Sequence, residues 1–349
     1  MDEQRLEERA GKAMADFGSG IAVLLIGIGD ELGLWRALAE AGPVTSVQLA
    51  ERTGCAERYL REWLAALAAN EYLAYDPQTQ TFAVSEEDAL ILADETSPAF
   101  LGGLFASWAP LSRGVDRLAR AFRTGEGIGW HEHEWKFHQA QERFTRPFYE
   151  TSLLDWIAAL DGVEEKLSAG ARVADVGCGN GVSTVVLARA FPNSTFYGFD
   201  YNDASIARAR KLAAEAGVAD RVIFEVATAT EFPGEDYDLV AFLDCFHDFG
   251  DPAGAAARAL ATLKADGTLL LAELNAADRL EDNFNPLGAV FLGTSVLLCV
   301  PNALSQNGGT ALGNQVGDAK LREIVLGAGF RSFRRASETP FVVILEAKP

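Results

Sequence analysis

The sequence predicts an α/β protein: a seven-stranded, mostly parallel sheet with an antiparallel last strand, preceded by an α-helical domain. Three observations predict it. From Arg172 onward, short apolar runs alternate with amphipathic stretches. Those runs are apolar throughout, as strands covered on both faces must be. Before residue 100 the pattern is helical and closes on a short strand–turn–strand signal.

The strands fall in order. "RVADVG", from Arg172, leads into the helix "STVVLARAF", and "STFYGFD" leads into "DASIARARKLAAEAG". "RVIFEVA", "YDLVAFLD" and "GTLLLAEL" supply strands three to five. "FRSFRRAS" and "FVVILEAK" come last, and the turn near Glu338 to Pro340 predicts that they pair antiparallel at an edge. This domain is taken as residues 169 to 349.

The first domain is taken as residues 1 to 96. Ile21 to Leu38 is apolar along much of its length and stops at Gly42 and Pro43. Thr45 or Ser46 caps the next helix, and Tyr59, Leu60, Trp63, Leu64 and Leu67 recur at helical spacing in the one after it. Leu73 to Tyr75 and Thr81 to Val84 flank "DPQTQ" and read as a hairpin. Helix, turn, helix and wing suggest a winged-helix domain. Its last helix carries Glu57, Arg58, Arg61, Glu62, Asn70 and Glu71, as many acids as bases or more, whereas a DNA-reading helix needs surplus cations. A dimerisation module is expected instead.

Residues 97 to 168 form a helical linker rich in aromatics, among them Trp108, Trp130, Trp135, Phe144 and Tyr149, with the flexible loop "GEGIG" between helices. The aromatics near that loop suit a lid over a ligand. "HEHEWKFH" places His131, His133 and His138 close together, but a zinc pair on a helix needs histidines four apart, and Trp135 stands four after His131. No metal is expected.

Bulk composition excludes several classes. With 50 acidic against 30 basic residues, the chain carries a formal charge of −20, which opposes binding to phosphate backbones. The most apolar runs, Ile21 to Ile28 and Leu287 to Val300, fall short of the roughly 18 residues a membrane span needs, and both read as buried helices. The acidic start does not resemble a signal peptide. The four cysteines lack CxxC spacing and read as reduced thiols. A cytoplasmic protein without nucleic-acid or membrane partners is expected.

The chemistry centres on "DVGCGNG". Gly177, Gly179 and Gly181 alternate, so the G-x-G-x-x-G spacing of a dinucleotide turn fails at Val182. A turn for a nucleoside joined to an amino acid fits better, with Gly177 and Gly179 letting a ligand approach the backbone. Asp200, ending strand two, suits two ribose hydroxyls, and Asp175 the neighbourhood of an ammonium group.

Here the sequence resembles class I S-adenosylmethionine-dependent methyltransferases with a Rossmann-like sheet, and "DVGCGNG" looks like their first motif. The amino-terminal half resembles the winged-helix dimerisation domain of small-molecule O-methyltransferases. "LDCFHDFGDP", Leu243 to Pro252, resembles the "FDxxHDxGDP" signature of a bacterial subgroup. The resemblance implies that His247 is the general base, with Asp248, Asp251 or Glu273 orienting it; His247, Asp248 and Glu273 form the candidate catalytic set. The candidate cofactor set is Asp175, Gly177, Gly179, Asp200, Tyr201, Thr228, Ala229 and Asp244.

Two departures qualify the match. Thr228 stands where such enzymes usually place an adenine-binding Asp, which leaves packing to Ala229 and Phe232. Phe249 replaces a frequent Trp and keeps an aromatic wall. Asn283, Asn285 and Asn302 are polar candidates for an acceptor pocket. The expected activity is methylation of a small, planar, largely apolar hydroxyl compound by a homodimer. Methylation at nitrogen or carbon, or ligand sensing by a winged-helix regulator without catalysis, are the alternatives.

Overall fold

A computed structural model describes residues 1 to 349, which form two units interleaved in sequence. The first comprises Met1–Gly114 and Glu134–Phe148; the second comprises Val115–His133 and Tyr149–Pro349. The helical segment 97–168 is thus shared between them.

The first unit opens with α1 (Glu3–Glu31), α2 (Leu34–Ala41), α3 (Ser46–Thr53) and α4 (Glu57–Ala69), followed by the wing strands β1 (Ala74–Asp76) and β2 (Thr81–Ala83). Thr45, not Ser46, caps α3, and Gln48 completes a reciprocal capping box. Trp35 and Trp63 meet edge to face at 5.3 Å and donate their indole N–H groups to the Ile26 and Leu25 carbonyls of α1. Gly29 leaves room for both rings, since a methyl group there would lie 2.5 Å from Trp63. The unit continues through α5 (Glu86–Leu92) and α6 (Gly102–Ser112), and takes the first residues of α8 (Trp135–Ala158), named here by its place in the chain after α7 (Val115–Thr124).

The expectation that the apolar run in α1 is buried fails. Only Ala22, Ile26 and Gly29 are buried, while Phe17, Ile21, Leu24 and Ile28 stay exposed. A helix can bury one stripe against its own domain and leave another bare.

The second unit holds the sheet. Its strands are β3 (Arg172–Val176), β4 (Thr195–Asp200), β5 (Val222–Val226), β6 (Tyr237–Leu243), β7 (Leu263–Leu274), β8 (Ser332–Glu338) and β9 (Val342–Lys348). They lie in the order β5-β4-β3-β6-β7-β9-β8. The first five are parallel, and β9 runs antiparallel between β7 and β8. β6 is buried at every position, and apart from Asp238 near its start it is apolar, as burial on both faces requires. The strand order reverses between β3 and β6, and in open α/β sheets ligands bind at the carboxyl ends beside such a switch point.

A continuous helical stretch, Pro286–Leu304, is longer than the run expected from sequence. It contains α-helical turns on both sides of a π-helical segment, Ser295–Cys299, just before Pro301. Proline has no N–H to donate and its ring crowds the preceding turn, which accounts for the widened register. This stretch and α1 are both long and apolar enough to cross a membrane by length and composition. Its carboxyl-terminal half is nonetheless packed in the sheet unit, where Leu298, Cys299, Pro301, Asn302 and Ala303 are buried.

Candidate active site

The glycine turn follows β3 directly. Gly177, Gly179 and Gly181 all adopt left-handed backbone, at φ 78°, 52° and 80°. A methyl group on Gly177 would lie 2.7 Å from Cys245 Sγ. One on Gly179 would meet nothing within 4 Å, so the backbone there faces open space that a ligand can approach.

Two carboxylates shape this turn. Asp175 is buried, and its Oδ2 accepts from Ser183 Oγ at 2.7 Å and Thr184 Oγ1 at 2.6 Å. It therefore ties the start of the helix Val182–Ala190 to β3. Asp200 accepts from the Gly179 N–H at 2.9 Å and from the Asn202 N–H at 2.8 Å, one on each oxygen. Burial pushes its pKa up to about 6 against those two hydrogen bonds. Each oxygen keeps a lone pair for a ligand hydroxyl.

Asp244 ends β6 in left-handed backbone at φ 55°, a conformation that costs a non-glycine residue about 1 kcal/mol or more. Its N–H donates to the Ala272 carbonyl at 2.7 Å, holding the strained turn to β7. The residue is exposed to solvent. Its pKa is nevertheless pushed up to about 7, first by the surrounding protein and then by Glu273 and Asp248, with His247 opposing.

His247 lies in the short 3-10 turn Phe246–Asp248 and is 3% exposed. Glu273, near the end of β7 and 1% exposed, pairs with His247 Nδ1. Its other oxygen accepts from the N–H groups of Phe246 at 2.8 Å and His247 at 3.3 Å. Of the three carboxylates considered as the orienter, Glu273 occupies the position. Asp251 caps the helix Pro252–Thr262 through the Gly254 N–H, so it is spent on folding. Asp248 stands on the opposite side, its Oδ1 3.3 Å from His247 Nε2. Burial alone would lower the His247 pKa, but the charges of Glu273 and Asp248 outweigh it and hold it well above the ordinary imidazole value.

The segment before the histidine cluster docks within this unit. The Ile128 N–H donates to the Pro301 carbonyl, and Asn302 Oδ1 accepts from both the Trp130 N–H at 3.0 Å and Tyr201 OH at 3.1 Å. His131 packs edge-on against Tyr201 at 5.6 Å. His138, by contrast, is buried in the other unit. Gln306 fastens the catalytic loop, donating to the Asp248 carbonyl and accepting from the Gly250 N–H.

Other candidates fall elsewhere. Phe232 is fully buried and packs on Phe199 at 5.5 Å, with Arg258 over its face, so it is a core residue and not a wall for adenine. Thr228 is exposed and contacts Thr230 and Glu231, while Ala229 is half-buried beside it. Asn283 bridges the backbone of Ala277, and Asn285 caps the helix Pro286–Thr294. Only Asn302, of the three asparagines, connects to the site. Two open depressions, of 460 Å³ beside α3 and 320 Å³ beyond β7, contain neither the glycine turn nor His247, so the site is defined by its side chains.

Sequence reasoning missed Gln306, and it assigned no site role to Cys299, whose ligating atom lies within 4.8 Å of those of His247 and Asp248. Neither carries a local motif. Only the path of the chain after β7 brings them here.

The glycine turn, the acidic strand ends and the His–Glu pair lie on a seven-stranded sheet whose order is that of the class I methyltransferase fold. Comparison with known proteins agrees. Residues 167–304 match the family described as "Methyltransferase domain", and residues 20–94 match the "Rv2258c-like winged HTH domain". The 27-O-demethylrifamycin SV methyltransferase of Amycolatopsis mediterranei is 30% identical over 47% of this chain and 57% of its own length. The mitomycin biosynthesis 6-O-methyltransferase of Streptomyces lavendulae is 28% identical over 86% of each chain. Among solved structures, the mitomycin 7-O-methyltransferase superposes with a TM-score of 0.74 at 21% identity, covering 99% of this chain and 100% of that one. Human N-acetylserotonin methyltransferase, solved with S-adenosylmethionine, gives 0.70 at 19% identity over 97% of each. The chain has a class I methyltransferase fold with an amino-terminal winged-helix domain, and it is similar to O-methyltransferases.

Proposed function

We propose that the protein methylates a hydroxyl group on a small, planar natural product, using S-adenosylmethionine, with His247 as the general base. The observation that carries this reading is the buried His247–Glu273 pair beside the glycine turn. The site residues suit the cofactor: backbone open at Gly179, Asp200 for ribose hydroxyls, and Asp175, Asp244 and Asp248 as further negative charge around a cation. Tyr201, Thr228 and Ala229 complete the contact set in this reading. The cofactor supplies an electrophilic methyl group on a sulfonium.

The chain's part is alignment and proton transfer. Glu273 accepts from Nδ1–H and so fixes the tautomer that leaves the Nε2 lone pair for the acceptor. As the acceptor oxygen takes the methyl group in exchange for the thioether leaving group, His247 Nε2 would receive the hydroxyl proton. The resulting imidazolium faces two carboxylates, Glu273 and Asp248, which stabilise it. An amine or carbon acceptor would make less use of this pair, which favours oxygen.

Replacing His247 tests the reading. His247→Ala should lower single-turnover methylation by roughly 100-fold or more while cofactor affinity stays nearly unchanged. Equal rates in the two proteins would remove His247 from the mechanism.

The same reading includes a homodimer without DNA or membrane partners, located in the cytoplasm. Met14, Phe17, Ile21, Leu24 and Ile28 are exposed at alternating spacings of three and four, the seam of a helix pair. All four cysteines are free, which suits a reducing compartment. A monomer in light scattering at micromolar concentration would contradict the dimer.

A further inference from the structure

We propose that His247, Asp248 and Cys299 form a binding site for a thiophilic divalent cation, zinc above all, which occupies the catalytic histidine and switches methylation off. One imidazole nitrogen, one carboxylate oxygen and one thiol sulfur lie within 4.8 Å of one another. His247 Nε2 and Asp248 Oδ1 are 3.3 Å apart. Two ligands bound at about 2.0–2.1 Å to a tetrahedral ion stand roughly 3.3–3.4 Å apart, so this pair already has the required spacing. Asp248 Oδ1 is buried and makes no hydrogen bond, so it is a buried acceptor left without a donor.

The surroundings complete the pattern. Zinc-bound histidines commonly donate their other ring N–H to a carboxylate, which orients the ring and raises its basicity. Glu273 does this at His247 Nδ1, and is itself held by the Phe246 and His247 N–H groups. Cys299 reaches the cluster from the π-helical segment, so the widened turn before Pro301 has a consequence in side-chain placement. A thiol binds a metal as the thiolate, so the cation would displace the Cys299 proton to solvent. Three protein ligands leave the fourth position of a tetrahedral ion to water or another small ligand.

The binding claim stands without any knowledge of the acceptor; the inhibition rests on the function proposed above. Cobalt(II) is the probe for the full-length protein. It should bind with a thiolate-to-cobalt charge-transfer band and intense four-coordinate d–d bands, and zinc should displace it one for one. Zinc calorimetry in buffers of different ionisation enthalpy should show proton release. Cys299→Ala and Cys299→Ser should each weaken zinc by about tenfold or more, and Glu273→Gln by about tenfold, with circular dichroism confirming the fold. Cys55→Ala should keep the charge-transfer band.

A cobalt spectrum without the thiolate band would overturn the proposal, as would a band lost with Cys55→Ala or unaltered zinc affinity in both Cys299 variants. Ligation by Asp244, His247 and Glu273 instead would give the first of those results. Zinc should also suppress methyl transfer, and a chelator should restore it. If zinc binds through Cys299 but leaves methylation intact, the switch is overturned while the reading of the enzyme survives.

Discussion

Charge is handled in opposite ways by helix α4 and by the carboxyl edge of the sheet. On α4 the opposite charges lie one turn apart: Arg61 forks onto Glu57 and Arg58 reaches Glu62. Arg61, with help from Ser46, holds the Glu57 carboxyl below the usual range. At the sheet edge, Asp244, Asp248 and Glu273 surround one imidazole, Asp175 and Asp200 lie on β3 and β4, and the four aspartates are all pushed up. Negative charge that the fold leaves uncompensated is a site for a cation. In the function proposed above, the sulfonium and ammonium groups of the cofactor supply it. The difference teaches that surface pairing marks a region serving solubility and assembly, while crowded like charge marks the place of chemistry.

The sharpest way to break this contrast is at Glu273. Glu273→Gln keeps the shape of the side chain but removes the charge that holds His247 well above its ordinary value. Turnover should fall roughly tenfold to 100-fold, since the imidazolium loses its main partner. The acid limb of the pH–rate profile should move to lower pH, because the base then loses its proton more easily. The sign for stability follows from the same pair. A histidine with a raised folded pKa stabilises the native state fully below its unfolded value, and that contribution disappears as pH rises through the folded one. Glu273→Gln should flatten this dependence in urea denaturation. A profile identical to the wild type would mean that Glu273 does not set the histidine's charge.

A smaller effect is expected at Asp200. Asp200→Ala removes charged hydrogen bonds to a ligand and should cost about 2 kcal/mol in cofactor affinity. The wild type sharpens the point without mutation. Asp244 and Asp200 have pKa values pushed up to about 7 and about 6, so both gain protons as pH falls through that window. The cationic cofactor binds the ionised forms, and its affinity should therefore fall between about pH 8 and about pH 5. The demethylated product lacks the sulfonium charge and should show a shallower fall. Parallel curves by calorimetry would show that the carboxylates do not sense the sulfonium.

Much of this arrangement was legible in the sequence, for reasons that are local. Strands buried on both faces must be apolar throughout, and β6 announces itself in "YDLVAFL". Three left-handed residues in one short turn require glycines, so "GCGNG" reads directly as the ligand turn. His247 was visible through its resemblance to a family signature. Its partner was legible only as one of three carboxylates, because Glu273 is 26 residues away and competes with nearer acids that prove to be a cap and a flank. Phe232 misled for a related reason: an aromatic after β5 looks the same in sequence whether it faces the cleft or the core. The histidines at 131, 133 and 138 drew attention by crowding, yet the chain separates His138 into the other unit. Cys299 and Gln306 join the site only through the long excursion after β7.

The smallest effect should come from α4, and its smallness is the point. Arg58 and Arg61 are exposed and each is engaged by a glutamate one turn away. Exposed i,i+4 pairs gain little over solvation by water, because each side chain gives up freedom to form them. Arg61→Ala should therefore leave the denaturant midpoint and the cofactor affinity unchanged within error. The same pairing leaves this helix little positive field for a phosphate backbone, so the wild type should not bind duplex DNA at physiological salt. A charge-reversed variant, Glu57→Lys with Glu62→Lys, frees both arginines and adds two cations. Any DNA binding it gains should fall steeply with salt, as counterion release requires. If the wild type itself retards duplex DNA with the same steep salt dependence, the balance of charge on α4 does not decide its role, and the winged-helix domain reads nucleic acid after all.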